Sequence, residues 1–289
     1  MKVCSGCGEK FNSLGWICPS CYQAPKIIED YLAFAPELAE VCDGFESSFF
    51  TQLASLEAKN FWFRSRNRLI IWALQRYFPQ AKSFLEIGCG TGFVLSGIGQ
   101  AFPNLALYGS EIFTTGLGFA AQRLSGAELF QMDARKIPFE DEFDVIGAFD
   151  VLEHIKEDAI VLEQMYRAIA PQGGIVLTVP QHPFLWSQAD AYAHHVRRYR
   201  ACELKTKVER AGFKILRMTS FISLLLPLML VSRLRQRQPN PEYDATSELS
   251  ISGWMNASLE SVLSLERLAI SLGCSFPAGG SLLLIARRS

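Results

Sequence analysis

Two groups of residues carry recognisable chemistry in their types and spacing. Cys4-Ser5-Gly6-Cys7 and Cys18-Pro19-Ser20-Cys21 form two C-x2-C pairs, ten residues apart. Four thiolates so arranged can close a tetrahedron around zinc, each knuckle turned by its glycine or proline. A site closed by four protein ligands is structural, and so short a segment with little core should not fold without its metal. The second group is Phe84-Leu85-Glu86-Ile87-Gly88-Cys89-Gly90-Thr91-Gly92-Phe93. An apolar strand ends there in a glycine-rich turn and runs into an apolar helix. The glycines let the backbone turn sharply and admit a ligand with no Cβ in the way. The helix N-terminus behind them favours a carboxylate or phosphate.

Two familiar uses of such a turn do not fit. A dinucleotide-binding loop has its third glycine one position later, where this chain has Phe93. A phosphate-binding P-loop needs a Gly-Lys-Ser/Thr that does not follow. The neighbouring acids suggest another ligand. The second strand ends at Glu111, about 20 residues past the loop, where a carboxylate can accept a bidentate pair of bonds from ribose hydroxyls. The third ends at Met132-Asp133-Ala134, where Asp133 could accept from an adenine amino group, and the fourth at Phe149-Asp150-Val151-Leu152-Glu153-His154-Ile155. All lie at carboxyl ends of strands, where doubly wound sheets bind ligands.

Glu86-Ile87-Gly88-Cys89-Gly90-Thr91-Gly92 resembles the first motif of class I S-adenosylmethionine-dependent methyltransferases. Glu111, Met132-Asp133-Ala134, Phe149 to Ile155 and Pro171-Gln172-Gly173-Gly174 match that family's later motifs in order and spacing, so the resemblance covers roughly residues 83–179. It implies S-adenosylmethionine as cofactor. Gly88, Gly90 and Gly92 would pass its methionine part, Glu111 would hold the ribose and Asp133 the adenine. Phe149 or Asp150 would sit beside the methyl group, and Glu86, Cys89, Ile112 and Ala134 belong to the same set. The family's usual hairpin of last two strands is interrupted here by a long insert. The amino-terminal cysteines in turn resemble a zinc ribbon, with Cys4, Cys7, Cys18 and Cys21 as ligands of a structural Zn2+. Cys42, Cys89, Cys202 and Cys274 lack partners at ligand spacing and read as small buried or loop residues.

Methyl transfer from a sulfonium is an in-line displacement whose leaving group departs neutral. The protein mainly holds donor and acceptor in near-attack geometry and keeps water out. A base is needed only for a hydroxyl or another acidic acceptor, and histidine suits that task near neutral pH. The candidates are His154, His182 and His195; for His154 a helix-capping role stands equally. The stretch from Trp186 to Tyr199 mixes aromatics, His and Arg, which suits a pocket wall or lid whose Arg197 and Arg198 could meet an anionic acceptor.

The elements that must position these groups follow from texture. Residues 1–24 are the ribbon. Residues 25–80 read as a helical prelude: Ile28 to Val41, Phe49 to Leu56 and Asn60 to Phe78. Its last helix is expected to pack on the sheet edge with arginines in water, or to lay Trp62 or Phe63 over the cofactor. Residues 81–289 read as the catalytic domain, with strands Phe84–Ile87, Ala106–Glu111, Glu128–Gln131, Val145–Phe149, Ile175–Val179, Phe213–Met218 and Leu282–Ala286 alternating with helices. The expected fold is α/β: a Rossmann-like, seven-stranded, mostly parallel sheet with helices on both faces and a helical insert over about 219–277. Within the insert the apolar run Phe221 to Val231, followed by Arg233, Arg235 and Arg237, is too short to span a bilayer. It reads either as a buried helix broken at Pro227 or as an interfacial anchor facing anionic head groups.

Of the 289 residues, 49% are hydrophobic and 20% charged, enough for a large core, and 28 basic side chains nearly cancel 29 acidic ones. A net charge of -1 gives no global field for nucleic acid, and Lys2 and Lys10 are the only cations before Lys26. Met1-Lys2-Val3 leads into cysteines and glycines rather than an apolar run, so a cytoplasmic location with reduced thiols is expected. The leading reading is methyl transfer to a small-molecule or lipid-like acceptor. Two others stand beside it: an rRNA or tRNA methyltransferase using the ribbon for RNA contact, and a catalytically silent cofactor-binding regulator whose ribbon binds a protein.

Overall fold

The computed structural model describes residues 1–39, 47–235 and 251–288. Expectations for Cys42 and Arg237, and for the Val41 end of the first prelude helix, lie outside these residues. The main sheet is built from β3 (Lys26–Ile28), β4 (Tyr31–Ala33), β5 (Ser83–Ile87), β6 (Ala106–Glu111), β7 (Glu128–Gln131), β8 (Phe143–Phe149), β9 (Ile169–Pro180), β10 (Phe213–Phe221) and β11 (Ser281–Arg288). Its order is β10-β11-β9-β8-β5-β6-β7-β4-β3. The stretch from β9 to β4 is parallel throughout, and β11 runs antiparallel between β9 and β10.

The seven expected strands are all there, but the sheet has nine. The other two overturn the helix expected from Ile28. Ile28 instead pairs with Tyr31, and the two residues between them, Glu29 and Asp30, both take positive φ, 48° and 69°. That is the backbone of a primed two-residue hairpin turn, which matches the twist of flanking strands. β4 is then fixed by parallel pairing with β7, at Leu32 with Phe130 and Ala33 with Gln131. The Gln131 side chain locks the exit, accepting from Ala35 N at 3.0 Å and donating to Ala35 O at 2.7 Å.

Helices cover both faces. On one face lie α2 (Phe61–Tyr77), α3 (Phe93–Ala101) and α9 (Gly253–Ser271), whose Leu69, Ile70, Leu95, Ile98 and Ile270 pack on Phe84, Val145 and Leu283. On the other lie α5 (Asp158–Ala168) and α7 (Ala201–Arg210), with Val161, Leu162, Met165, Leu204 and Val208 against Leu85, Ile146 and Leu284. Alternation along each strand produces this division: Phe84 and Leu85, or Leu283 and Leu284, point to opposite sides. The remaining helices are α1 (Ser47–Leu56), α4 (Thr114–Arg123), α6 (Gln188–Tyr192) and α8 (Leu226–Arg235).

The amino-terminal cysteine segment carries its own hairpin of β1 (Lys2–Val3) and β2 (Lys10–Phe11), consistent with a ribbon, and is docked on the loop after β7. Val3 N donates to Pro138 O at 2.9 Å, and Trp16 packs edge-on against Phe34 and Phe139. In the insert, β10 runs on to Phe221, and α8 starts at Leu226 with Pro227 in its first turn. Pro227 therefore opens a helix rather than breaking one, because a missing N–H costs nothing there. Phe221 and Ile222 are buried, whereas Leu224, Leu228, Leu230 and Val231 are exposed. No helix among the described residues is long and apolar enough to cross a membrane.

Candidate functional site

The order of strands reverses at β5, with β6 on one side and β8 on the other, and the glycine loop leaves the carboxyl end of β5 at that switch point. Gly88, Gly90 and Gly92 all take positive φ, at 65°, 51° and 73°. Their surroundings differ. A Cβ on Gly88 would lie 2.6 Å from Val151 Cγ2, and one on Gly92 would lie 2.9 Å from Ala120 Cα, so these two permit close packing. Gly90 alone faces space: chain neighbours aside, its nearest atom among the described residues would be Phe50 Cε1 at 3.9 Å. Of the three glycines, Gly90 is the one past which a ligand could lie.

Glu111 bridges the loop and its own strand tip. Its Oε2 accepts from Gly90 N at 3.0 Å and its Oε1 from Ile112 N at 2.7 Å. Burial raises its pKa against those amides, which favour the anion. Each oxygen keeps a lone pair for a further donor. Asp133, at the next strand tip, is buried and gripped by Arg135, whose Nε lies 3.0 Å from both carboxylate oxygens. Ala134 and Cys89 are buried; the Cys89 thiol, packed with Leu117 and Ala120, is pushed well up in pKa by burial. Glu86 is buried on β5 with Oε2 lacking a partner, and burial drives its pKa well above the usual range. At the end of β8, the Phe149 ring packs over Gly147 into the core with Phe84, and the next residue, Asp150, turns at φ 58° and pairs with Arg66.

Arg66 was missed by the sequence reading, which put the arginines of α2 in water. Arg68 does stay exposed and, with half-buried Arg64, pairs with Glu260 of α9, but Arg66 is buried against Asp150, with Trp62 stacked 4.4 Å from its guanidinium. Its charge also offsets Glu86 and Glu153. An arginine four residues after an aromatic carries no signal of that role until the helix is docked. The cover over the loop is likewise not Trp62 or Phe63. Phe63 is buried against Phe93, and the ring near Gly90 is Phe50 of α1. Glu57, just after α1, accepts from Thr91 Oγ1 at 2.7 and 2.8 Å and from Arg123 at 2.7 Å, clasping that helix to loop and α4.

The histidines divide. His154 and His195 meet edge to face, ring centres 4.7 Å apart. His195 Nδ1 lies 2.9 Å from Asp190 Oδ1, and its Nε2 is 4.0 Å from Glu153 Oε1. His154 reaches solvent on one side, yet close packing and then His195 and His194 lower its pKa to about 3. His182 stands apart on a loop with φ 62°, stacked on Phe184, its Nε2 buried without a partner. Burial, then Arg198, lowers its pKa. The arginines expected to meet an anionic acceptor are committed internally. Arg197 pairs with Asp158 at 2.6 Å, and buried Arg198 with Asp190 at 2.7 Å. Glu153 and Asp190 were not singled out in the sequence, although Glu153 adjoins His154 in it.

At the amino terminus Cys4 and Cys21 Sγ lie 3.5 Å apart, Cys7 and Cys18 Sγ 3.6 Å, and all four within 4.8 Å. Tetrahedral zinc with bonds of about 2.3 Å sets thiolates about 3.8 Å apart, so the donor set fits the ion. Amides of Cys7 and Gly6 aimed at Cys4 outweigh burial and lower its pKa to about 6, whereas burial and the neighbouring thiols push Cys7 and Cys21 up. Of the other thiols, Cys202 and Cys274 are exposed.

Residues 57–218 match the family described as "Methyltransferase domain". A Mycobacterium tuberculosis protein named "Probable S-adenosylmethionine-dependent methyltransferase" is 26% identical over 166 residues, 56% of this chain and 58% of that protein. The ubiquinone biosynthesis O-methyltransferase of Pseudomonas aeruginosa is 28% identical over 126 residues, 39% of this chain and 50% of that protein. This chain thus spans little more than half the length of these curated relatives. Among solved structures, phosphoethanolamine N-methyltransferase 2 of Haemonchus contortus in complex with S-adenosyl-L-methionine shares the fold, with a TM-score of 0.56 at 18% identity over 85% of this chain and 58% of that chain.

Proposed function

This chain belongs to the methyltransferase-domain family, and on that premise we propose that it transfers a methyl group from S-adenosyl-L-methionine to a small-molecule or lipid-like acceptor. One observation carries the reading: an open crossing at Gly90 whose N–H is held by Glu111 of the adjoining strand. Glu111 would hold the ribose, the tip at Asp133 and Ala134 would border the adenine, and Gly90 and Glu86 would line the methionine end. The cofactor supplies an electrophilic methyl group on a positively charged sulfur. Asp150, held by Arg66, would lie beside the transferred methyl group, and α1 with Phe50 would keep water out. Glu153 and His154, after β8, and Asp190 and His195, after β9, would meet the acceptor group and ease the loss of its proton. His182, separate from it, would line the acceptor pocket.

The ribbon is proposed to hold one structural zinc and to brace the β7–β8 loop. A sequence relative is an O-methyltransferase by name and a structural neighbour an N-methyltransferase. Calorimetry with S-adenosylmethionine on the whole chain should give one site. A methyl-release assay over candidate acceptors should then give turnover. Absence of binding overturns the proposal, and binding without turnover on any acceptor favours the regulator reading.

A further inference from the structure

Glu153 is a carboxylate in an untenable place unless something answers its charge. It sits on the turn Leu152–His154, is 0% exposed, and neither of its oxygens has a hydrogen-bond partner. An unpaired buried carboxylate costs several kcal/mol, so such a group either stays protonated or faces a cation. Arg66 and Arg198 lie near enough to ease its charge but are bonded elsewhere, to Asp150 and Asp190. What Glu153 does face is the pair of imidazoles.

His195 is prepared on its other side. Asp190 Oδ1 holds His195 Nδ1 at 2.9 Å, and Asp190 is itself fixed by Ser187 N at 2.8 Å and Arg198 Nε at 2.7 Å. With Nδ1–H donated to that carboxylate, the Nε2 lone pair points away from Asp190, and it is Nε2 that lies 4.0 Å from Glu153 Oε1. Val196 N donates to Glu153 O at 2.7 Å, tying the histidine loop to the turn. Donor atoms of Glu153, His154 and His195 all fall within 4.8 Å of one another.

We propose that Glu153, His154 and His195 hold a divalent first-row transition-metal ion, with Asp190 as the positioning residue behind His195. Two imidazoles and one carboxylate suit such an ion better than calcium or magnesium, which prefer all-oxygen shells. A carboxylate behind a ligating histidine is the usual means of fixing its tautomer and raising its basicity. Three protein ligands leave positions open for water or an acceptor oxygen. Polarising that oxygen is a role that rests on the methyltransferase reading, whereas metal binding does not.

The test is equilibrium dialysis of the full chain against Zn2+, with bound metal counted by elemental analysis. Wild type should hold one equivalent more than Glu153→Gln and one more than His195→Ala, and Asp190→Asn should weaken the extra equivalent by about 10- to 100-fold. Cys4→Ser should keep that equivalent while losing the ribbon's, so failure of one site is distinguishable from failure of the other. Glu153→Gln removes a buried charge and should melt no lower than metal-free wild type, which confirms that its loss of metal is not unfolding. Equal zinc in wild type and Glu153→Gln overturns the proposal and leaves Glu153 and His195 as a plain ion pair.

Discussion

The backbone N–H of Gly90 donates to Oε2 of Glu111 across 3.0 Å, joining the turn after β5 to the tip of β6. The bond holds the loop against the carboxylate before any ligand arrives. A ligand held by both residues therefore meets a site already formed.

Gly90→Val should weaken S-adenosylmethionine binding at least 100-fold. A β-branched residue at φ 51° is strained by about 1–2 kcal/mol, and its methyls would occupy the open space. Calorimetry reads the affinity, and a thermal melt should show only a modest drop. Unchanged affinity would remove the loop from the site.

Arg66→Ala should destabilise the fold by about 3 kcal/mol, because it strands half-buried Asp150 beside buried Glu153 and takes the offsetting charge from buried Glu86. Arg66→Lys should recover part of that, since the charge returns without the fork. Denaturant midpoints of the two variants check this, and equal loss in both would show that packing on Trp62, not charge, is what matters.

Acid should unfold the protein partly through Asp158. Burial alone would raise its pKa, but Lys207 and Tyr199, each 2.6 Å from Oδ2, together with Arg197, hold it below the usual carboxylate range. A depressed folded pKa gives stability that is complete above the unfolded value of about 3.9 and is lost as pH falls below it. Asp158→Asn should lower stability at pH 7 and flatten the loss below about pH 4, as read by melts across that range. An unchanged acid slope would exclude this network as the source.

Cys4→Ser should abolish the zinc binding proposed for the cysteine cluster and lower the melting temperature, because Phe11 and Trp16 lose the frame that holds Trp16 against Phe34 and Phe139. Elemental analysis and melting curves read both effects. A variant with its full zinc content would refute the cysteine site.

What could be read from the sequence was what short segments decide for themselves. The knuckles Cys4–Cys7 and Cys18–Cys21, the glycine turn, and the seven strands from Ser83 onward are set by local spacing and alternation, and each recurs in the structure. The helix assigned from Ile28 failed because a three-residue strand has too little periodicity to compete. β4 exists only because β7, about a hundred residues later, offers it an edge. The acids on strand tips were visible, but not their partners. That Arg66 answers Asp150, that Asp190 holds His195, and that Glu153 is buried with no bond all depend on which helix packs where. Burial and pairing are properties of the assembled core, and they alone fix the charge a side chain can carry.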